Sequence, residues 1–119
     1  HYNDTQRSID LNKRVSNNSN KTSICDALLA DKPGELTFAI NSELTENVLT
    51  VSDEEVKAAM RFAFHYFKMI VEPGGAVALA AVMSKKIELR NKVTVAVLSG
   101  GNVDMEMYDK IQSEKTSDH

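Results

Sequence analysis

Val93-Thr-Val-Ala-Val-Leu98 runs directly into Ser99-Gly-Gly-Asn-Val-Asp104. The first six residues are apolar on both faces, as the central strand of a mostly parallel sheet is. Paired glycines and an Asn then cap the strand, and Asp104 to about Glu114 follows as an amphipathic helix. A strand that ends in small residues before a helix sets them at the carboxyl edge of a sheet, where open α/β sheets bind ligands. Gly100 and Gly101 would let a flat ligand or a phosphate approach the backbone, and Ser99 offers a hydroxyl. A glycine-rich turn with no ligand fits the same residues. The segment is not a Walker loop, because no Gly-Lys-Ser/Thr follows, and it lacks the G-x-G-x-x-G spacing of dinucleotide sites.

Upstream, Ser52 and Glu55 form the S-x-x-E pattern of a capping box, with acids in the first turn. Val56, Ala59, Met60, Ala63, Phe64, Phe67, Ile70 and Val71 recur at helical spacing, which predicts a helix from about Asp53 to Val71, ended by Pro73. Gly74 and Gly75 allow close backbone approach before a second helix, Ala76 to Ser84, whose alanines suit it to deep burial. Glu72 stands between these two helices, where its carboxylate is expected to be partly buried; a solvent-facing Glu at a helix junction is the bland alternative. Leu36, Phe38 and Ile40 alternate with Thr37 and Ala39, a weak strand signal after the Pro33-Gly34 break, and β-branched residues make Val48 to Val51 a second strand candidate. Ser23 to Ala30 reads as a short helix or a buried turn. Asn17, Asn18 and Asn20, near Ser16 and Ser19, read as a loop. Strands and helices mixed in this way make the fold α/β.

The composition narrows the function classes. The chain has 119 residues, enough for one compact domain, and 42% hydrophobic residues with 26% charged is ordinary globular usage. A net charge of −3 without a basic block speaks against nucleic acid or an anionic membrane as partner. One cysteine excludes an internal disulfide framework, and the longest uncharged run, Pro73 to Ser84, is too short to span a bilayer. No signal peptide opens the chain, so a cytoplasmic location is expected. The first residue is His1, not Met, which suggests removed residues or the later piece of something longer.

Three further spots bear on chemistry. Tyr2-Asn3-Asp4 gathers a carboxylate, an amide and backbone carbonyls, the oxygen ligands that magnesium or calcium favours, although polar residues near a terminus are usually just solvated. His65 has no second His or Cys at ligand spacing and reads as a surface or partly packed residue. Cys25 has no evident His partner and reads as a buried structural thiol.

Four stretches, in order, resemble the carboxyl-terminal part of the pyridoxal-phosphate threonine/serine dehydratases, a group that includes serine racemase and has the tryptophan synthase β-like fold. Asn3-Asp4-Thr-Gln-Arg-Ser8 resembles D-D-T/C-x-x-S. Ser23-Ile-Cys-Asp-Ala27 resembles T-I-A-D-G and is followed by Pro33-Gly34-Glu35. Glu72-Pro-Gly-Gly-Ala76 resembles E-P-x-G-A, and Leu98 to Asp104 matches L-S-G-G-N-V-D.

The resemblance implies that residues 1–119 are the carboxyl-terminal portion of a large domain that binds pyridoxal phosphate. Ser99 would sit at the pyridine nitrogen, Gly100 and Gly101 beside the ring, and Glu72 near the cofactor, while Ala27 takes the place of a glycine that borders the ring. Asp4 and the Tyr2 carbonyl would match part of a divalent-cation site, for magnesium or calcium, with Asn3 where an Asp is usual. The Schiff-base lysine and the glycine-rich phosphate cup belong to the family's first half. Lys68, Lys85 and Lys86 do not sit in such a context, so no catalytic residue is expected in this chain. The implied parent is a lyase that converts L-threonine or L-serine to a 2-oxo acid and ammonia by β-elimination. It would act on a small amino acid and assemble as a homo-oligomer. The alternatives are a fragment of a serine or other amino-acid racemase, a fragment of a hydroxyaspartate dehydratase, or a free-standing, non-catalytic domain from a truncated gene. The last would leave an apolar sheet face exposed.

Overall fold

The computed structural model describes residues 2–17 and 22–114. Asn18, Ser19 and Asn20, most of the expected Asn-rich loop, lie outside the described residues, as does 115–119. The chain divides into two units, 1–50 and 51–119, where its length had suggested one.

In the first unit, α1 (Asp4–Asp10) packs on α2 (Glu35–Leu44), with a single 3-10 turn at Asp26–Leu28 between them in sequence. Ser8 is buried on α1, and its hydroxyl accepts the Val15 N–H at 2.9 Å, which turns the chain back after the helix. Cys25 is buried, as expected. The strand expected over Leu36, Phe38 and Ile40 is instead helix α2. Five residues cannot separate a period of 2 from one of 3.6, whereas Leu36, Ile40 and Leu44 fall one turn apart on a single helical stripe. Val48 to Val51 forms no strand either. The Val48 carbonyl accepts from the Gln6 side-chain amide at 3.1 Å, so a side chain takes the place of a ladder bond.

The second unit is built on α3 (Asp53–Phe62) packed against α4 (Pro73–Met83). The capping box forms as the sequence predicts: Ser52 Oγ accepts the Glu55 N–H at 3.2 Å, and Glu55 Oε2 accepts the Ser52 N–H at 2.6 Å. Val56, Ala59, Met60 and Ala63 are buried from α3 and its extension, and Ala76, Leu79 and Ala80 from α4. Alanines on both helices let the axes approach closely, and Val56 and Met60 fill the remaining space.

The helix does not reach Val71. Its last turn, Ala63–Phe67, widens to π geometry, and Lys68 takes a left-handed conformation at φ 59° that ends it. The wide turn lets Phe62 stack on Tyr66 at 4.5 Å and meet Phe67 edge-on at 5.3 Å. Pro73 therefore does not stop this helix. It opens α4 at the first helical position, where its missing N–H removes no intrahelical bond.

Helix α5 (Met105–Ser113) lies where the sequence predicts it, with Asp104 Oδ1 capping the Met107 N–H at 2.8 Å. Tyr108 and Ile111 bury against α3. Polar contacts tie the far end of α5 to α3. Arg61 Nη1 donates to the Ile111 carbonyl at 3.2 Å, one of the carbonyls a helix end leaves unpaired, and Lys57 Nζ reaches Glu114 at 3.1 Å and Glu54 at 3.1 Å. Those two carboxylates, Glu54 first, push the Lys57 ammonium above its ordinary value.

Val93 to Leu98 is extended, but no strand is assigned among the described residues, because none of them supplies a hydrogen-bonded neighbour for it. Nor is any helix among them long and apolar enough to cross a membrane.

Two expectations follow for α3. Replacing the cap, Ser52→Ala, should cost about 1 kcal/mol in thermal or urea unfolding. Burial raises the Glu55 carboxyl, but the Ser52 N–H, Lys86 and Ser84 together bring it below its ordinary 4.5. A carboxyl lowered in the folded state adds stability at neutral pH that is lost as the pH falls through the folded value. Glu55→Gln should therefore flatten the acid limb of a melting series run from about pH 6 to about pH 3. An unaltered acid limb would take Glu55 out of this account.

Candidate functional site

Within the second unit, the turn after Leu98 folds onto the start of α4. Glu72, in extended geometry at φ −71° and ψ 160°, is the residue before the first turn of α4. Its N–H donates to the Gly100 carbonyl at 2.9 Å, and its own carbonyl accepts the Ala76 N–H at 3.1 Å. The Glu72 backbone is thus fixed on both sides, by the glycine turn and by the helix.

Three glycines make this approach possible, and the reason is space. None of the described glycines has a positive φ. A Cβ on Gly75 would lie 2.7 Å from the Gly100 carbonyl oxygen and 2.9 Å from its nitrogen. A Cβ on Gly101 would lie 2.7 Å from the Ile70 carbonyl oxygen. On Gly100 the added carbon would meet the Glu72 carboxylate, with Oε1 at 2.6 Å. So the Glu72 side chain lies over Gly100, half-buried, while backbone meets backbone at Gly75 and Gly101. The Val103 N–H closes on the Gly101 carbonyl at 3.0 Å, and Asp104 then starts α5, whose other end Arg61 and Lys57 hold.

The structure therefore brings together Glu72, Gly100 and Gly101. Ser99, the next residue along, is exposed, and no described residue hydrogen-bonds its hydroxyl. Chemically, this is a small-residue wall bearing one free hydroxyl and one carboxylate. The sequence reading missed that Gly75 and Ile70 are the surfaces on which the turn rests. The Gly74-Gly75 doublet announced a close approach but not its partner.

The remaining candidates lie in the first unit. Ala27 is exposed in the 3-10 turn, where its N–H donates to Asp26 Oδ1 at 2.8 Å. Asp4 is buried, and its Oδ1 accepts from the Asn17 side-chain amide at 2.7 Å. Asn17 also donates from that amide to the Ala30 carbonyl at 3.3 Å and from its backbone to the Asp31 carbonyl at 2.7 Å. Asp4 thus helps to fasten a loop. Together with the Tyr2 carbonyl it offers too few oxygens for the six or more that magnesium or calcium takes. No group of three His, Cys, Asp or Glu among the described residues could hold a metal ion, so these residues do not by themselves fit a cation site. His65 is exposed with its ring against Phe64.

The same arrangement fits one edge of a flat, ring-shaped cofactor: the wall has no Cβ at 100 or 101, and the Ser99 hydroxyl is available. It does not supply the amine such a cofactor needs. Lys86 pairs with Glu55 at 3.0 Å, and Lys68 Nζ donates to the His65 carbonyl at 2.8 Å.

Comparison with known proteins identifies the family. A family model described as pyridoxal-phosphate dependent enzyme matches residues 2–100. An L-threo-3-hydroxyaspartate ammonia-lyase of Saccharomyces cerevisiae is 41% identical over 113 residues, covering 95% of this chain and 34% of that protein. A serine racemase of Schizosaccharomyces pombe is 38% identical over 112 residues, covering 94% of this chain and 34% of that one. Among solved structures, a T.th. threonine deaminase superposes with a TM-score of 0.79 at 34% identity, over 87% of this chain and 36% of that chain. The chain spans about a third of the length of these relatives.

The two kinds of crowding should separate in mutants. Gly75→Ala pushes a carbon into fixed backbone and should cost about 1–3 kcal/mol. Gly100→Ala meets the free end of a side chain, which can swing aside, so its melting temperature should fall less. Equal losses would show that Glu72 is as rigid as the backbone beneath it.

Proposed function

This chain belongs to the pyridoxal-phosphate-dependent enzymes, and from that premise we propose that it is the carboxyl-terminal portion of a lyase acting on a small β-hydroxy amino acid. Its fold class is α/β, that of the fold type II members with a tryptophan synthase β-like large domain. The reaction we assign to the whole enzyme converts L-threonine or L-serine to a 2-oxo acid and ammonia. The observation that carries this reading is the Ser99-Gly100-Gly101 turn clamped on Glu72 with the Ser99 hydroxyl left free. Relatives that are threonine and hydroxyaspartate ammonia-lyases support the lyase class, and a serine racemase among them supports racemisation as the second reading.

When bound, pyridoxal phosphate supplies an electron sink for the pair left as the substrate loses its α-proton. The roles we assign to this chain concern how that sink is held. Gly100 and Gly101 give a flat ring a surface without side chains. Ser99 offers its hydroxyl to the ring nitrogen as a neutral hydrogen-bond partner. A hydroxyl cannot protonate that nitrogen as a carboxylic acid could, so the sink stays weak, which suits elimination of a β-hydroxyl better than chemistry needing a long-lived carbanion. Glu72, held over Gly100, is placed to hold or pass a proton at the cofactor's edge. Ala27 would add a methyl group where the family pattern has glycine and so narrow the pocket. The amine that binds the cofactor and the cup for its phosphate are assigned to the part of the fold outside residues 1–119.

The test is a chimera in which this chain replaces the matching 113-residue segment of the Saccharomyces relative. The chimera should release 2-oxo acid from L-serine, L-threonine or L-threo-3-hydroxyaspartate. Ser99→Ala should leave its melting temperature alone and lower turnover by about 10- to 100-fold, the loss of one hydrogen bond to a charged or polarised group. Formation of D-serine without 2-oxo acid would replace the lyase reading with the racemase reading. A fully active Ser99→Ala chimera would remove Ser99 from the site.

A further inference from the structure

Two backbone groups carry the clamp, and an unbroken helix would have used both of them. Had α3 run on past Val71, the Glu72 N–H would bond the Lys68 carbonyl four residues back, and the Ile70 carbonyl would accept from Gly74. Instead the Glu72 N–H donates to the Gly100 carbonyl at 2.9 Å. The Ile70 carbonyl faces Gly101, 2.7 Å from where a Cβ would stand. What frees both groups is Lys68, whose left-handed φ of 59° breaks the helical path at the end of the widened turn Ala63–Phe67.

The reversal at Lys68 is itself well fixed. The Lys68 N–H closes on the Phe64 carbonyl at 3.1 Å, and the Met69 N–H reaches back six residues to the Ala63 carbonyl at 3.2 Å. An ordinary left-handed helix end pairs the latter N–H with the carbonyl five residues back, so this one encloses one residue more. Phe64 meets Tyr108 of α5 edge-on at 5.9 Å, and Lys68 Nζ covers the His65 carbonyl at 2.8 Å. Only Met69, Ile70 and Val71 separate the reversal from Glu72. Val71 is buried, with its Cγ1 3.2 Å from where a Cβ on Gly75 would stand, so the connection has little slack.

We propose that Lys68 is a positioning residue for Glu72: its left-handed backbone turns the chain out of α3 and hands the Glu72 N–H and the Ile70 carbonyl to the glycine turn. The link from Lys68 to turnover rests on the role proposed above for Glu72; the link from Lys68 to the Glu72 backbone does not. The Lys68 side chain is exposed, so backbone and side chain can be separated by substitution.

The test compares Lys68→Val, Lys68→Gly and Lys85→Val by amide exchange and melting of the 119-residue chain, and by kinetics in the chimera with the Saccharomyces relative. Valine is disfavoured at positive φ, whereas glycine is not. Lys85, just past the far end of α4 with φ 54°, is the control, because valine there meets the same backbone cost away from the clamp. Lys68→Val should speed exchange of the Glu72 amide about 10-fold beyond any change at the buried Met60 amide. Lys85→Val should lower the melting temperature similarly while the Glu72 and Met60 amides change in step. Lys68→Gly should keep the Glu72 amide at the parent rate, although it loses the ammonium over His65. In the chimera, Lys68→Val should lower kcat about 10-fold with KM unchanged, and Lys68→Gly should restore it. Should Lys68→Val fail to fold, Lys68→Ala replaces it, with the Glu72 amide exchanging about 3-fold faster than in Lys68→Gly. The proposal is overturned if Lys68→Val leaves the Glu72 amide as slow as in the parent, if Lys85→Val frees it equally, or if Lys68→Gly frees it as valine does. A freed amide with unchanged kcat would overturn the part of Lys68 in turnover. A parent chimera that releases no 2-oxo acid would count against the lyase reading, and the amide rates would still decide the link between Lys68 and Glu72.

Discussion

Backbone-to-backbone contact between Gly75 and Gly100 is the constraint on which the second unit's site depends. With a Cβ at either Gly75 or Gly101, the turn after Leu98 would have to lift from the segment that begins α4, and the Glu72 N–H would lose the Gly100 carbonyl. The rest of the unit supports this contact from both sides. Buried alanines on α3 and α4 set the position of α4, and the capping box sets where α3 begins. At the other end, α5 is held to α3 by Tyr108, Ile111, Arg61 and Lys57, which limits how far the turn can move. Each of these contacts is weak alone. Together they fix the short turn that carries the Ser99 hydroxyl.

Much of this was legible in the sequence because it is written locally. The Ser52–Glu55 box, the Asp104 cap and the glycine doublets each depend on residues at most a few positions apart, and they appear where the pattern placed them. The failures share a cause. Leu36, Phe38 and Ile40 alternate over a window too short to exclude a helix, and only Leu44 reveals the longer period. The helix expected to Val71 stops at Lys68, after a widened turn in which Phe62 meets Tyr66 and Phe67, a geometry that no apolar pattern encodes. Val93 to Leu98 has every local mark of a central strand. Strand pairing, however, is a relation between distant segments, and the described residues hold no partner for it.

The candidate site divides in the same way. Ser99, Gly100, Gly101 and Glu72 were recognisable as motifs, and the structure joins Glu72 to Gly100. That Gly75 is the floor under Gly100 could not be read from spacing, since 25 residues separate them and only the packing of α4 brings them together. Asp4 illustrates the opposite case. Its motif suggests a cation ligand, and in the first unit its buried carboxylate accepts the Asn17 amide.

The most direct test of the account is a nuclear Overhauser measurement on the 119-residue chain between the Gly75 α-protons and the Gly100 amide proton. A turn seated on α4 gives a strong cross-peak, accompanied by slow exchange of the Glu72 amide. If the cross-peak is absent while those between α3 and α4 are intact, the turn is not seated on α4, and the site described here does not exist in the chain.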